Sequence, residues 1–239
     1  MLELPKIISH RGVNIPDLGI IENTLPAFEV AFNKGAKAFE CDVRLTKDNI
    51  PIIFHDDDFQ RIYGVEGIID EKTLQEIMAV TVGEKGKVST LVETLNFAVQ
   101  NKMLVNLELK GHDRHAKNFA EILEGALQLC QVDRKRCLVS CFSKVPLQTV
   151  REFSPDLLLG LLISDPWHLL FLEEAKNLRC FSIHLRKDHV SKKIVDEIHQ
   201  AGFKVLVYTV NDIETAENLF AQGVDSIFSD NPEFFSVFR

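Results

Sequence analysis

Short apolar runs recur along the chain at 6–9, 38–43, 51–54, 103–109, 137–141, 157–163, 180–185, 203–210 and 226–228. Longer segments with helical periodicity separate most of them. Leu25, Phe28, Ala31 and Phe32 fall on one helix face, and Ile194, Val195, Ile198 and Ala201 fall on another. Thr90, Ser143 and Asn211 stand before such segments as helix caps. Gly35, Gly202 and Gly223 follow them, where a left-handed C-cap is expected. Alternation of this kind predicts repeated β-α units around a parallel sheet.

The 239 residues match one full (β/α)₈ barrel, which takes roughly 250. A closed barrel uses eight strands, and the pattern offers nine. The excess is removed if 51–54 continues the region of the second strand after a tight turn at Lys47-Asp48-Asn49. The stretch 57–90 is the least regular, with Gly64, Gly67, Gly83 and Gly86 spread through it. It predicts loops over the barrel mouth, a short insertion after the second strand. No linker or internal repeat divides the chain, so a single domain over 1–239 is expected.

Composition narrows the functional classes. At 46% hydrophobic and 26% charged, the chain has the material for a sizeable core. A net charge of -8 and the lack of a basic stripe argue against nucleic acid as a partner. Arg134-Lys135-Arg136 and Arg186-Lys187 read as solvated charges. The five cysteines include no C-x-x-C pair and read as buried reduced thiols, which suit a cytoplasmic protein. The N-terminus has no secretory pattern, and no run approaches the roughly 18 apolar residues of a membrane span. A cytoplasmic location is expected.

The unusual charges sit where apolar runs end. His10-Arg11-Gly12 follows the first run, Glu40 and Asp42 lie near the end of the second, His55-Asp56 follows Phe54, and Glu108 and Lys110 close the run at 103–109. In a (β/α)₈ barrel those ends form the rim that carries catalytic residues. Strand side chains alternate faces, so Glu40 and Asp42 point one way and Glu108 and Lys110 share a face. If those faces are inward, three carboxylates meet one lysine. Three clustered carboxylates repel one another unless a proton or cation intervenes, and a hard divalent ion, Mg²⁺ or Ca²⁺, favours such oxygen ligands. His10 and His55 suit proton transfer to and from a phosphate ester, with Arg11 and Lys110 on its free oxygens.

Together, His10-Arg11-Gly12, Glu22-Asn23-Thr24-Leu25-Pro26-Ala27-Phe28, Gly35-Ala36, Glu40-Cys41-Asp42-Val43, Thr46-Lys47-Asp48, His55-Asp56, Arg61, Thr90-Leu91, Glu108-Leu109-Lys110, Thr209-Val210-Asn211, Gly223-Val224-Asp225 and Asp230-Asn231-Pro232 resemble the glycerophosphodiester phosphodiesterases. The resemblance spans nearly the whole chain. It implies a (β/α)₈ barrel that cleaves glycerophosphodiesters to sn-glycerol 3-phosphate and an alcohol. By the family pattern His10 and His55 match the acid/base pair. Glu40, Asp42 and Glu108 match the metal ligands, and Arg11 and Lys110 the phosphate contacts. Glu22 and Tyr208 are further candidates for substrate binding. The route implied is attack by the neighbouring glycerol hydroxyl followed by hydrolysis of a cyclic phosphate, with direct attack by water as the other possibility.

Ile21 stands where the family often has proline, and Tyr208 where tryptophan is common. A cyclising lyase or a barrel that only binds a phosphorylated ligand are the competing readings. Asp56 reads as a turn cap and Asp230 as a loop residue before Pro232. His112, His115, His168, His184, His189 and His199 read as surface or packing residues.

Overall fold

The computed structural model describes residues 4–15, 19–81, 87–111, 113–231 and 233–238, with the side chain of Arg114 excepted. Gly83, Gly86, His112 and Pro232 lie outside the described residues. The chain runs β1 (Ile7–Ser9), α1 (Leu25–Asn33), β2 (Ala38–Leu45), β3 (Pro51–Ile53), α2 (Gln60–Tyr63), α3 (Leu74–Val80) and β4 (Ser89–Thr90). Next come α4 (Leu91–Gln100), β5 (Leu104–Leu109), α5 (Ala116–Leu129), β6 (Cys137–Cys141), α6 (Lys144–Phe153) and β7 (Leu158–Ile163). The last third holds α7 (Leu170–Asn177), β8 (Ser182–Arg186), α8 (Lys192–Gln200), β9 (Lys204–Tyr208), α9 (Ile213–Ala221), β10 (Ser226–Ser229) and α10 (Phe234–Val237).

Eight strands pair in parallel in the order β1, β2, β5, β6, β7, β8, β9, β10, and β10 pairs back onto β1. This is the closed (β/α)₈ barrel. Alternation along each strand sorts its residues into two cores. Outward residues such as Phe39, Leu107 and Val139 meet the helices in one large cluster. Inward residues, among them Ile8, Ala38, Leu104, Leu138, Leu206 and Phe228, fill the barrel itself. Helix α1 starts at the Thr24 cap with a proline in its first turn, and its Phe28 stacks on Phe39 of β2 at 4.4 Å. Gly35, Gly202 and Gly223 have the expected positive φ.

The ninth run behaves as the turn at Lys47-Asp48-Asn49 requires. Strand β3 lies antiparallel on β2, with Val43 opposite Ile53, and β4 lies antiparallel on β3. The stretch 57–90 departs from the expected loops. It carries α2, a 3-10 turn at Ile69–Glu71 and α3. A capping box between Thr73 and Glu76 starts α3. Ile52, Phe54, Phe59, Ile69, Ile77 and Val88 are buried together as a satellite core, which gives the segment its own reason to fold. A second correction concerns α9: Asp212, not Asn211, caps it, its side chain accepting from the Thr215 amide at 2.8 Å.

All five cysteines are free and buried. Among the described residues no helix is long and apolar enough to cross a membrane.

Candidate active site

Strand β2 turns Glu40 and Asp42 into the barrel, and the register sets Asp42 beside Glu108 of β5. The three carboxylates are nearly inaccessible, at 1%, 1% and 8% exposure. One oxygen from each lies within 4.8 Å of the others. Lys110 leaves β5 just after Glu108; its Nζ sits 3.2 Å from Asp42 Oδ1 and also contacts Glu108 Oε1. The inward placement expected from parity is therefore what the fold delivers.

The turn after β1 is shaped by its third residue. Gly12 has φ +78°, and a Cβ there would come 2.8 Å from the Ala27 carbonyl carbon and 2.9 Å from Phe28. Glycine lets the turn lie against the start of α1. Arg11, itself at φ 54°, then folds back over the carboxylates. Its amide donates to Glu40 Oε2 at 3.0 Å, its Nε lies 3.2 Å from Asp42 Oδ2, and its NH1 donates to Glu22 Oε1 at 2.9 Å. Glu22 also accepts from Arg61 at 2.7 Å, so it joins two guanidiniums and does not line the central cavity. Asn23 is buried and grips Asp42, donating from Nδ2 to Oδ2 at 2.8 Å and accepting from the Asp42 amide at 3.2 Å.

Each histidine is anchored through Nδ1. His10 meets Asp230 Oδ1 at 2.7 Å, and His55 meets Asp56 Oδ1 at 2.6 Å. Asp56 is held in turn by Arg61 at 2.6 Å, and Asp230 by Asn211 at 2.7 Å. The other ring nitrogen, Nε2, is turned away from that anchor in both; that of His10 lies 3.9 Å from Glu40. These supporting residues are the ones sequence reasoning missed. Asp56 and Asp230 read as turn residues and nothing local marks Asn23, because their partners are distant in sequence or carry no spacing signal.

The electrostatics follow from this crowding. Burial, then the charge of Asp42, pushes the Glu40 carboxyl up to about 8. Burial and Asp42 also raise Glu108. Asp42 goes the other way: burial opposes ionisation, but Lys110 and Arg11 outweigh it. His10 is raised despite burial by Asp230 and Glu40, whereas burial lowers His55. Among the described residues Glu40 Oε1 is buried with no hydrogen bond, and Asp42 Oδ1 and Glu108 Oε1 meet only the Lys110 ammonium. Three buried carboxylates that repel one another, with one lysine shared between two of them, fit a hard divalent cation, whose charge would relieve the repulsion.

A cavity of about 180 Å³ opens over this cluster, with His10, Arg11, Glu40, His55, Glu108 and Lys110 on one side. Tyr208 lines the other side; its hydroxyl donates to the Ile163 carbonyl at 2.8 Å and its ring meets Phe142 edge-on at 6.0 Å. A wider groove of about 710 Å³ passes Arg44, Asp57 and Lys110 next to it. Of the residues expected at the site, eight gather around the carboxylates and the cavity, and Glu22 stands behind Arg11.

The chain is similar to known proteins over nearly its whole length. The sequence model of the Glycerophosphoryl diester phosphodiesterase family matches residues 10–234. A glycerophosphodiester phosphodiesterase of Caldanaerobacter subterraneus is 31% identical, over 95% of this chain and 94% of its own. A phosphodiesterase of Oleispira antarctica, solved with the product sn-glycerol-3-phosphate, is 30% identical with a TM-score of 0.90, over 98% of this chain and 96% of that one. The Thermotoga maritima glycerophosphodiester phosphodiesterase superposes with a TM-score of 0.79 at 26% identity, covering 99% of both chains. The chain belongs to the glycerophosphoryl diester phosphodiesterase family and is an enzyme of that phosphodiesterase class.

Proposed function

We propose that this enzyme carries out metal-dependent hydrolysis of glycerophosphodiesters to sn-glycerol 3-phosphate and an alcohol, as one domain spanning 1–239. The observation that carries the reading is the convergence of two carboxylate-anchored histidines and three buried carboxylates on one small cavity. Glu40, Asp42 and Glu108 would hold one Mg²⁺ or Ca²⁺, which, when bound, offsets negative charge developing on the phosphoryl oxygens. Arg11 and Lys110 bind those oxygens and orient the phosphorus. His10 and His55 act as the acid/base pair: one takes the proton of the attacking hydroxyl or water, and the other gives a proton to the departing alkoxide. Asp230 and Asp56 keep each imidazole turned so that Nε2 can do this. Glu22 holds Arg11 and Arg61 in place, and Tyr208 walls the substrate pocket. Free, buried cysteines accord with a reducing cytoplasm.

The test is turnover of glycerophosphocholine, glycerophosphoethanolamine and glycerophosphoinositol, followed by phosphorus NMR with Mg²⁺, with Ca²⁺ and with EDTA. Accumulation of sn-glycerol 3-phosphate that stops on chelation is expected. A cyclic phosphate that persists as the final product would sink hydrolysis in favour of a lyase, and full activity in EDTA would remove the metal.

A further inference from the structure

The end of the barrel away from the histidines, where strands begin and helices finish, carries a cavity of its own. It lies between the last turns of α4 and α5 and the start of β5, and holds about 180 Å³. Ala98, Val99, Met103, Val105 and Val132 form its walls, and Lys102, Gln131, Asp133 and Arg136 complete the lining. Val105 packs on the helix side of β5, whereas Glu108, three residues on, turns into the barrel. The sheet therefore stands between this cavity and the three carboxylates.

Its borders run against backbone preference. The second residue past α1, α8 and α9 is a glycine at positive φ, Gly35, Gly202 and Gly223. The same place after α4 and α5 is taken by Lys102 at φ 54° and Gln131 at φ 53°, and after α7 by Arg179. Glycine reaches that conformation without strain and other residues at a cost. Two turns at one cavity thus keep a polar side chain where glycine would be unstrained.

The rim is also cationic. Lys102 and Arg136 are exposed, and among the described residues neither has a carboxylate within ion-pair distance. Arg136 NH1 donates to the Lys102 carbonyl at 2.7 Å, which leaves its Nε–NH2 edge unpaired among the described residues. That edge matches a planar carboxylate. Asp133, the acid in the lining, is engaged elsewhere, its Oδ1 accepting from the Lys135 amide at 3.0 Å. Lys37 stands at the neighbouring strand start, exposed, with its carbonyl accepting from the Leu104 amide at 3.0 Å. A cation after a helix end is favoured by the helix dipole, which accounts for Lys102 alone. It does not account for an apolar hollow beside it, with Val99 left 40% exposed.

We propose that this cavity is a second ligand site, separate from the catalytic one, for a short-chain aliphatic carboxylate. The chain lies between α4 and α5, and the carboxylate meets Lys102 and Arg136. The volume equals roughly six waters at ~30 Å³ each, room for a chain of about six carbons. The assignment stands apart from the phosphodiesterase reading, since turnover plays no part in its readout.

The test is a methyl NMR titration of the full chain with hexanoate, butyrate, hexan-1-ol and inorganic phosphate. Hexanoate should shift the methyls of Val99, Val105 and Val132 and leave those of Leu162, in the catalytic cavity, in place. It should bind at least about tenfold tighter than hexan-1-ol, the worth of charge-assisted hydrogen bonds. It should exceed butyrate at least about fivefold, for two methylenes withdrawn from water. Lys102→Gln and Arg136→Gln should each weaken hexanoate at least about fivefold and leave hexan-1-ol within about twofold. The Lys102 ammonium has no hydrogen-bond partner among the described residues, so Lys102→Gln keeps the test open if loss of the Arg136 tether unfolds the chain. Equal affinity for hexanoate and hexan-1-ol, variants that weaken both alike, or phosphate bound as tightly as hexanoate would each overturn the proposal. So would shifts confined to Leu162, or no methyl shift up to about 10 mM hexanoate.

Discussion

The two histidines reach the same cavity from regions of unlike construction. His10 sits at the end of β1, inside a closed ring of parallel strands, and its amide donates to the Ser229 carbonyl of β10 at 2.9 Å. Its support, Asp230, comes from the neighbouring strand end. His55 stands just after β3, on an antiparallel extension whose satellite core is six buried residues. Its support, Asp56, is the next residue, and Arg61 behind it is nearly half exposed. The barrel fixes its histidine by closure. The extension fixes the other by a small core, by Arg44 donating to the His55 carbonyl at 2.7 Å, and by a short polar relay. One cavity therefore draws its two histidines from parts of unlike construction, and the extension, with the smaller core, is expected to open first.

The largest effect should come from removing either imidazole. His10→Ala and His55→Ala are each expected to lower kcat by at least roughly 100-fold, the ordinary worth of a positioned acid or base. The losses should be similar in size, because the proposed acid/base chemistry uses both partners however each is supported. Steady-state rates on glycerophosphocholine check this. If one variant kept wild-type turnover, that histidine would leave the mechanism and the site would reduce to a single acid or base.

The supports themselves should separate the regions. Phe59→Ala opens the satellite core, and Leu107→Ala opens the main core under the helices; both residues are fully buried. Large-to-small changes of this kind cost about 2–5 kcal/mol. Leu107→Ala should lower the melting temperature of the whole barrel while keeping kcat well below the melt. Phe59→Ala should lower kcat about 10-fold or more with a smaller shift of the main transition, because His55 loses its alignment first. Thermal unfolding and rates on the same samples decide it. Equal melting shifts with unchanged kcat would show that the extension unfolds with the barrel as one unit.

The same division explains how far the sequence could be read. Barrel strands announce themselves by apolar runs, and face alternation places Glu40, Asp42, Glu108 and Lys110 together once the barrel is assumed. Histidines at strand ends follow from the same rule. The extension hides its order in short elements: α2 and α3 are only four and seven residues long, too short for a clear apolar period. The Thr73–Glu76 capping box was its one strong local signal. Asn23, Asp56 and Asp230 escape for another reason. Each is a residue type that caps helices and forms turns; Asn23 and Asp230 meet partners set by tertiary approach, Asp42 on β2 and His10 across the barrel seam, while Asp56 pairs with the adjacent His55, which no spacing announces.

The smallest expected effect concerns acid, and it sharpens the contrast on the barrel's outer layer. Glu124 of α5 accepts from Arg134 NH1 at 2.8 Å and from Ser154, tying α5 to the segments flanking β6 and α6. The Arg134 hydrogen bond is the main reason its carboxyl falls from 4.5 to about 2. Asp56 in the extension also falls to about 2; burial opposes this, and Arg61 and His55 outweigh it. A carboxylate with a depressed folded pKa contributes stability above its unfolded value that is lost as pH falls through the folded one. Both pairs therefore stabilise above about pH 4.5 and release that stability on the way to about pH 2. Arg134 and Glu124 are the less exposed pair, at 22% and 17% against 46% and 20% for Arg61 and Asp56, so solvent screens them less. Urea midpoints of wild type and Glu124→Gln at pH 6, 4 and 2.5 read this directly. The variant should be less stable at pH 6, the gap should narrow at pH 4 and nearly close at pH 2.5, and 1 M salt should shrink it at every pH. A gap that stays constant with pH would mean that Glu124 acts through packing and its uncharged hydrogen bond to Ser154, with the ion pair contributing nothing to the barrel's acid limb.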